Sequence, residues 1–245
     1  MNCVAVIPVY NHEHAIGTVV ASLRTHGLPV LLVDDGSAPA CAAVLDTLAT
    51  QAQVSLLRLP QNQGKGGAVM AGLHEAARQG YSHALQIDAD GQHDTGDVPR
   101  FLALAQQHPT ALITGCPQYD ASVPRVRFYG RYAAHLMVWA ITLSRRITDS
   151  MCGFRVYPLA HTLPVLAQMP RTRRMDFDIE IAIRLDWQDV RIINVPTRVT
   201  YPSDGISHFN YLRDNLRITA MLIRLLGGML WRSPMLLARH LRSGA

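Results

Sequence analysis

The sequence predicts an α/β fold in which a mostly parallel sheet carries helices on both of its faces. Two observations lead to this class. Short, almost wholly apolar runs alternate with helical patterns through the first half of the chain, and polar residues follow the ends of these runs. Strands that are buried on both faces are continuously apolar, and parallel strands need a crossover segment between them. The chain has 245 residues, 49% of them hydrophobic, which is enough for one such domain.

Four strands and four helices are predicted in alternating order in the first half. The strand candidates are CVAVIPV (3–9), PVLLVDD (29–35), VSLLRL (54–59) and HALQIDA (83–89). The helical patterns that follow them start near Ala15, Ala40, Gly64 and Asp97. In a sheet of this kind, ligands bind at the carboxyl ends of the strands, and the polar residues of this chain cluster there.

The second half predicts longer helices. Residues 123–146 are expected to form an amphipathic helix with a break or a turn near Gly130, and residues 190–196 a further strand. From Leu212 the chain is again helical, with interruptions expected at Gly227-Gly228 and at Pro234. The chain therefore divides into a main domain over 1–210 and a basic amphipathic tail over 211–245.

The composition indicates which classes of binding partner and which cellular compartment to expect. The net charge of +5 favours acidic partners such as nucleotide phosphates, lipid phosphates or an anionic membrane surface. Nucleic acid is not expected, because no dense Lys/Arg tract is interleaved with aromatic residues. The four cysteines are scattered and lack metal-ligand spacing, which indicates a reduced, cytoplasmic compartment. The N-terminus has no basic region before its apolar run, so it is not expected to be a secretory signal.

The C-terminal region is predicted to lie on a membrane rather than to cross it. A spanning helix needs about 20 mostly apolar residues, and Arg224 interrupts this region. Basic amphipathic helices lie on anionic membranes, and Trp231 suits the headgroup zone. This predicts a peripheral protein on the inner face of the cytoplasmic membrane. Packing on the main domain, or on a second copy of the chain in a homo-oligomer, is the alternative for the same helix.

The stretch LQIDADGQHD (85–94) predicts a metal site. Alternate residues of an extended segment point the same way, so Asp88, Asp90 and Gln92 could face one ligand. Their oxygen atoms suit Mg²⁺ or Mn²⁺, which take few carboxylates and leave room for substrate phosphates. The alternative is a solvated turn after a strand. His93 and Asp94 are expected only to form the turn into the next helix.

Two further motifs follow other predicted strands. In VDDGS (33–37), Asp34 and Asp35 could accept hydrogen bonds from a ribose or a base, or could simply form an Asx-type turn. In NQGKGGAVMAG (62–72), backbone N–H groups could lie near a phosphate that Lys65 would reach. The alternative there is a tight helix entry that needs small residues. The spacing matches neither a P-loop nor GxGxxG.

The second half contributes candidate acidic and basic groups. In DFDIE (176–180), Asp178 or Glu180 could act as a general base, although acids at a helix start also favour the helix dipole. In DGISHF (204–209), His208 could bind a metal or a phosphate, or could be a capping or surface histidine. Arginines could receive a phosphate or could line a solvated helix face. The arginine candidates are Arg125, Arg127, Arg131, Arg145, Arg146 and Arg155.

Taken in order, these motifs resemble the family-2 glycosyltransferases with the GT-A fold, and most of all polyprenyl-phosphate mannose or glucose synthases. The ordered set is PVYN, VDDGS, GKGGA, DADGQH, CGFR and FDIE, and it covers residues 3 to about 210. The resemblance implies that Pro8 and Tyr10 pack against the nucleotide base and that Asp35, beside Asp34, holds it. It implies that ribose, metal and diphosphate are held by Asp88, Asp90 and Gln92. It also implies that the acceptor phosphate is approached by Arg125, Arg127 or Arg131, and Arg155.

The resemblance implies an inverting transfer of a hexose from a nucleotide-diphosphate sugar, of the GDP-mannose or UDP-glucose type, to a polyprenyl phosphate, with Mg²⁺ or Mn²⁺. A lipid phosphate is already an anionic nucleophile and needs no base. A hydroxyl acceptor of a lipid or glycan is the alternative, and it would need Asp178 or Glu180 to take its proton. Two other classes remain, a nucleotidyltransferase and a non-catalytic sugar-nucleotide-binding protein.

Overall fold

The computed structural model describes residues 1–118, 125–169, 172–200 and 210–243, with the side chains of all but 125–133 and 240–243. Seven strands and eight α-helices lie in these ranges. The strands are β1 (Cys3–Val9), β2 (Val30–Asp34), β3 (Val54–Arg58), β4 (His83–Gln86), β5 (Leu112–Gln118), β6 (Arg155–Pro158) and β7 (Ile192–Arg198). The helices are α1 (Ile16–Thr25), α2 (Pro39–Ala49), α3 (Lys65–Arg78), α4 (Val98–Gln107), α5 (Arg125–Thr142), α6 (Leu159–Leu166), α7 (Phe177–Trp187) and α8 (Tyr211–Ser243).

The sheet is mixed but mostly parallel, as predicted. Its strand order is β3-β2-β1-β4-β6-β5-β7, and only β6 runs antiparallel to its neighbours β4 and β5. The four strands and four helices predicted in the first half are confirmed, with ends that differ by up to three residues. Because β1, β2 and β4 are parallel neighbours, their carboxyl ends meet at one edge of the sheet.

Two strands, β5 and β6, were not predicted. The sequence of β5, LITGCPQ, carries a glycine and a proline, which weaken a strand pattern. The sequence of β6, RVYP, is only four residues long and begins with an arginine, although it lies in the middle of the sheet. A short central strand with a buried charge has no apolar run to reveal it.

Helices cover both faces of the sheet. The first apolar cluster packs α1, α2 and α4 on one face through residues such as Ile16, Leu45 and Phe101. The second cluster packs α3, α6 and α7 on the other face. Alternate residues of β1 divide between the clusters, because Ala5 belongs to the first and Val6 to the second. This burial on both faces explains why β1 is apolar throughout.

Helix α8 joins α5 and α7 in a third apolar cluster. Its buried Leu222 and Leu225 pack with Val138 of α5 and with Ile183 and Trp187 of α7. Residues of the predicted tail therefore share a hydrophobic core with the main domain. Burial of these side chains stabilises the attachment of α8 by roughly 1.5–3 kcal/mol for each large side chain.

The expected interruptions of the long helices are wrong. Helix α5 runs through Gly130, and α8 runs through Gly227, Gly228 and Pro234. A proline inside a helix leaves the carbonyl of the fourth preceding residue without its N–H donor. Here that carbonyl belongs to Leu230, and the hydroxyl of Ser233 donates to it at 2.9 Å. A local side-chain hydrogen bond thus replaces the missing backbone bond.

The continuity of α8 also overturns the expectation that no segment is long and apolar enough to span a bilayer. Among the described residues, Tyr211–Arg239 passes that test, with 29 residues and a mean hydropathy of 1.2 in its most apolar window. The test concerns length and composition only. Only 22% of that window is buried inside the protein.

Candidate active site

The end of β2 organises the loops at the carboxyl edge of the sheet. The backbone N–H of Asp35 donates to the carbonyl of Val9, and the Asp35 carboxylate accepts from the N–H groups of Gln63 (2.6 Å) and Gly64 (2.8 Å). Burial raises the pKa of Asp35. Asp35 therefore fixes the loop that opens α3 beside the end of β1, where Tyr10 lies half-buried.

Asp34 forms a turn of the kind expected from its Asp-Asp-Gly sequence. Its buried carboxylate accepts from the N–H of Ser37 at 2.8 Å and pairs with the Nε of Arg58 at 2.8 Å. Pro8 is buried within β1, opposite Val33 of β2. Of the residues predicted to contact the base, Tyr10 is the more accessible and Pro8 belongs to the core of the sheet.

Three side chains from three different parts of the chain form one partly buried ionic cluster. The ammonium of Lys65, at the start of α3, lies 2.8 Å from Oδ1 of Asp88 and 3.0 Å from Oδ2 of Asp178. Asp88 follows β4, and Asp178 lies in the first turn of α7. Burial would lower the pKa of Lys65, but the charges of Asp178 and Asp88 raise it overall. We call Lys65, Asp88 and Asp178 the carboxylate–lysine cluster.

Asp178 is further held by a chain of hydrogen bonds beneath the cluster. The Nε2 of Gln86 donates to Oδ1 of Asp178 at 3.1 Å, and the hydroxyl of Tyr157 donates to Oε1 of Gln86 at 2.9 Å. Arg155 is fully buried beside them and donates to the backbone carbonyls of Asp178 (2.6 Å) and Ser150 (2.7 Å). This placement gives Arg155 a structural role and does not favour the predicted contact with an acceptor phosphate.

The turn after β4 brings a second carboxylate and a histidine to the cluster. Gly91 adopts φ 72°, and Oδ1 of Asp90 accepts from the N–H of Gln92 at 3.0 Å. The Nε2 of His93 lies 3.5 Å from Oδ2 of Asp88, and its ring packs against Phe154. The expectation that His93 serves only the turn is therefore wrong. Only the tertiary contact with Asp88 distinguishes His93 from an ordinary turn residue.

The two aspartates of the DAD motif have opposite electrostatic environments. Burial would raise the pKa of Asp88, but Lys65 and then His93 hold it well below its ordinary value. Burial and then the charge of Asp88 raise the pKa of Asp90. Asp90 is thus a partly buried carboxylate next to another carboxylate, an arrangement that favours a bound cation.

The CGFR motif closes over the cluster through its glycine. A Cβ atom on Gly153 would lie 2.6 Å from Oδ2 of Asp88 and 2.7 Å from Nζ of Lys65. The preceding turn is fixed by Asp149, whose Oδ1 accepts from the N–H groups of Met151 and Cys152, both at 2.8 Å. Only glycine permits the backbone to approach the Lys65–Asp88 ion pair this closely.

The glycine-rich start of α3 packs against the segment before α7. A Cβ atom on Gly66 would lie 2.4 Å from Cβ of Phe177, and the N–H of Gly67 donates to the carbonyl of Arg173 at 2.8 Å. These contacts agree with a tight helix entry that needs small residues. The motif acts on the site through Lys65 rather than through the N–H of Gly67, which is already bonded.

Glu180, the second predicted base, contacts a different set of partners. It is fully buried and pairs with Nε of Arg184 at 2.6 Å and with Nη2 of Arg224 at 2.5 Å. The hydroxyl of Thr172 also donates to it. Because Arg224 belongs to α8, Glu180 joins α8 to α7.

Several predicted acceptor residues lie outside the described part of the chain. His208 falls within 201–209, which the structure does not describe. Arg125, Arg127 and Arg131 lie on the described backbone of α5, but their side chains are not described. Arg145 is placed with its guanidinium 5.7 Å from the ring centre of Trp139, and Arg146 pairs with Asp189. The predicted role of His208, Arg125, Arg127 and Arg131 stays a prediction.

The residues present fit a metal that is held partly by its substrate. Among the described residues, no group of three or more His, Cys, Asp or Glu could hold an ion. Asp88 and Asp90 nevertheless provide two neighbouring carboxylates, and Asp90 has no cationic side chain among its hydrogen-bond partners described above. Mg²⁺ and Mn²⁺ are commonly bound by one or two carboxylates together with substrate phosphates, so two suffice.

Comparison with known proteins assigns the chain to a family. The model of the family described as "Glycosyl transferase family 2" matches residues 4–160, which is more than half of the chain. A UDP-N-acetylglucosamine–dolichyl-phosphate N-acetylglucosaminyltransferase of Methanococcus voltae is 26% identical over 80% of this chain and 84% of that protein. An undecaprenyl-phosphate mannosyltransferase of Micrococcus luteus is 27% identical over 80% of this chain and 82% of that protein.

Solved structures support the same fold. A glucosyl-3-phosphoglycerate synthase of Mycobacterium tuberculosis, solved with Mn²⁺, UDP-glucose and phosphoglyceric acid, aligns with a TM-score of 0.68 and 18% identity. The alignment covers 92% of this chain and 80% of that chain. The family match is consistent with the sheet order and with the polar residues at the ends of the strands. The chain therefore belongs to glycosyl transferase family 2 and is a glycosyltransferase with the GT-A fold.

Proposed function

We propose that this glycosyltransferase moves a hexose from a nucleotide-diphosphate sugar to a polyprenyl phosphate, with inversion at the anomeric carbon. The names of the relatives from Methanococcus voltae and Micrococcus luteus, which act on dolichyl phosphate and undecaprenyl phosphate, support a lipid-phosphate acceptor. The donor is of the GDP-mannose or UDP-glucose type. The enzyme is cytoplasmic and peripheral on the inner face of the membrane.

The donor occupies the carboxyl edge of the sheet. Tyr10 and Asp35 lie at the ends of β1 and β2, where they would contact the nucleotide base, and Asp88 and Asp90 follow β4 on the adjacent side. Asp88 and Asp90 would hold Mg²⁺ or Mn²⁺, which supplies positive charge to the departing diphosphate when it is bound. Lys65 keeps Asp88 ionised and fixes its orientation, with its ammonium 2.8 Å from Oδ1.

The ion pairs and hydrogen bonds of the two candidate bases favour a phosphate acceptor over a hydroxyl acceptor. The carboxylate of Asp178 is bound by Lys65 and Gln86, and that of Glu180 by Arg184 and Arg224. A general base needs an oxygen within hydrogen-bond reach of the proton it takes, and both carboxylates are engaged elsewhere. A lipid phosphate attacks as an anion and needs no base, so this geometry suits it.

The exposed face of α8 supports attachment to a membrane. Trp231 is 87% exposed and Leu230 67% exposed, although both are large apolar residues. Arginines of α8 flank this face, and cationic residues attract anionic lipid headgroups. The buried face of the same helix holds it against α5 and α7.

One transfer assay tests the proposal. The full chain is incubated with Mn²⁺, labelled nucleotide sugars, and either a polyprenyl phosphate or the matching polyprenol. We expect label to enter the lipid phosphate with release of nucleoside diphosphate, and to be lost in Asp90→Asn but kept in Asp94→Asn, a change at an exposed turn position. Transfer to the polyprenol alone would refute the phosphate acceptor. Release of pyrophosphate would identify a nucleotidyltransferase, and no reaction with any donor would indicate a binding protein.

A further inference from the structure

A cavity of about 660 Å³ lies between α8 and the segment that precedes α7. It is strongly basic, and its only lining carboxylate among the described residues is that of Asp176. No member of the carboxylate–lysine cluster lines it. We call it the arginine pocket, after the four arginines of its wall, which are Arg173, Arg174, Arg217 and Arg224.

Two of these arginines donate to side-chain amides of the loop that precedes α3. Nη1 of Arg173 donates to the side-chain oxygen of Gln63 at 3.1 Å, and Nη1 of Arg174 donates to that of Asn62 at 3.4 Å. An amide oxygen orients a guanidinium without cancelling its charge. The hydrogen bond from Arg174 to Asn62 therefore orients a cation at the pocket wall.

The charges on the α8 side are only partly compensated. Arg224 pairs with Glu180, but Glu180 also binds Arg184, so one carboxylate serves two guanidinium groups. Arg217 pairs with Asp214 at the longer distance of 3.5 Å, and its side chain is 40% exposed. The pocket thus keeps a positive potential and offers guanidinium donors to an incoming anion.

The pocket borders an apolar stripe on α8. The stripe is formed by exposed residues that recur at spacings of four and seven, which places them on one side of a helix. Its members are 56–75% exposed and are Leu212, Leu216, Ile223, Leu230 and Leu237. Arg217 and Arg224 each follow a member of the stripe directly, about 100° further around the helix. A charged head in the pocket and a hydrocarbon chain on the stripe would therefore lie side by side.

We propose that the arginine pocket binds a phosphate group. The chemistry is that of a phosphate ester, which guanidinium groups recognise through paired, charge-assisted hydrogen bonds. Its source is either the headgroup of an anionic phospholipid whose chains lie along the apolar stripe, or a soluble phosphate ester. The lining of the pocket includes neither Asp88 nor Asp90, although it includes Gln63, whose N–H donates to Asp35. A phosphate bound between Arg174 and α8 goes beyond the transfer reaction proposed above.

The test uses the full chain and two single variants, Arg174→Gln and Arg217→Gln. The matched control is Arg213→Gln, which removes the same charge from an exposed position of α8, one turn before Arg217 and outside the pocket lining. In one arm, thermal unfolding is followed in glycerol phosphate against sodium chloride of equal ionic strength. In the other, flotation is measured with phosphatidylcholine vesicles that contain or lack phosphatidylglycerol.

We expect each pocket variant to raise the apparent Kd by about tenfold, as for the loss of a charge-assisted hydrogen bond, and the control to stay near wild type. A selective loss in the vesicle arm identifies a lipid headgroup, and a selective loss in the glycerol phosphate arm identifies a soluble ester. If the pocket variants and the control have the same apparent Kd in both arms, the proposal is overturned. Transfer of sugar, measured separately, reports on the proposed reaction and not on this pocket.

Discussion

The Nζ atom of Lys65 lies 2.8 Å from Oδ1 of Asp88 and 3.0 Å from Oδ2 of Asp178, so a single ammonium joins the end of β4 to the first turn of α7. Lys65 is the only lysine in the chain, which also has 22 arginines and 11 histidines. The compact ammonium fits between two carboxylates, where a planar guanidinium would need more room. The site therefore depends on one cation that can be studied individually.

That cation should remain protonated far into the alkaline range. The charges of Asp178 and Asp88 raise the pKa of Lys65 above its ordinary value of about 10.4. With ¹³Cε-labelled lysine, the folded protein has one lysine side-chain signal, and we expect no titration of that signal up to about pH 11. A midpoint at the ordinary lysine value would contradict the ion pairs. Asp88→Asn should lower the midpoint, whereas Asp94→Asn should leave it unchanged.

The stability contributed by Asp88 should be lost in acid. Its pKa in the folded state lies below the unfolded value of about 3.9, because Lys65 and His93 favour the charged form despite burial. The contribution is therefore complete above the unfolded pKa and disappears as the pH falls through the folded pKa. Urea unfolding should show a large difference between wild type and Asp88→Asn at pH 7 that narrows below pH 4. A difference that does not depend on pH would refute this linkage.

Gly153→Ala should damage the site, because its Cβ atom would lie 2.6–2.7 Å from Asp88 and Lys65. The backbone or the ion pair must then move, and displacements of about 1 Å can cost about a hundredfold in rate. We expect sugar transfer to fall by at least that factor. Gly17→Ala, where a Cβ atom meets nothing within 4 Å, is the control and should keep full activity. Equal activity of the two variants would show that the loop does not position the cluster.

Glu180→Gln should lower the free energy of unfolding by about 3 kcal/mol, because it leaves Arg184 and Arg224 without their shared buried carboxylate. The same substitution at Glu75, whose partner Arg78 is largely exposed, should cost less than about 1 kcal/mol. Urea titrations measure both. If Glu180→Gln instead abolishes sugar transfer while stability stays at the wild-type value, Glu180 is a base and the acceptor is a hydroxyl.

Trp231→Ser combined with Leu230→Ser should weaken vesicle binding and leave the melting temperature unchanged, because both side chains point away from the buried face of α8. Leu225→Ala, at a buried position of the same helix, should do the reverse and destabilise the fold by about 2–5 kcal/mol. Flotation with anionic vesicles and thermal unfolding separate the two effects. Undiminished flotation of the double variant would exclude this face as the membrane contact.

The apolar runs of the first half predicted β1 to β4 and α1 to α4 without reference to the rest of the chain, because strands buried on both faces are mostly apolar. The same periodicity could not reveal β6, since Arg155 and Tyr157 are polar groups buried in a central strand. Their burial is stable only because distant carbonyl and amide groups satisfy them. Partners of that kind are visible only after folding.

The motifs also predicted most of the residues of the candidate donor site. Asp35, Asp88 and Asp90 could be predicted because parallel topology brings strand ends to one edge. The different partners of Asp178 and Glu180, which lie two residues apart in one helix, could not be predicted from the sequence. Residues at that spacing point to different sides of a helix, so one meets Lys65 and the other meets Arg224 of α8. Sequence determined which groups are available, and tertiary packing decided which partner each one meets, because helix faces acquire neighbours only when the elements pack.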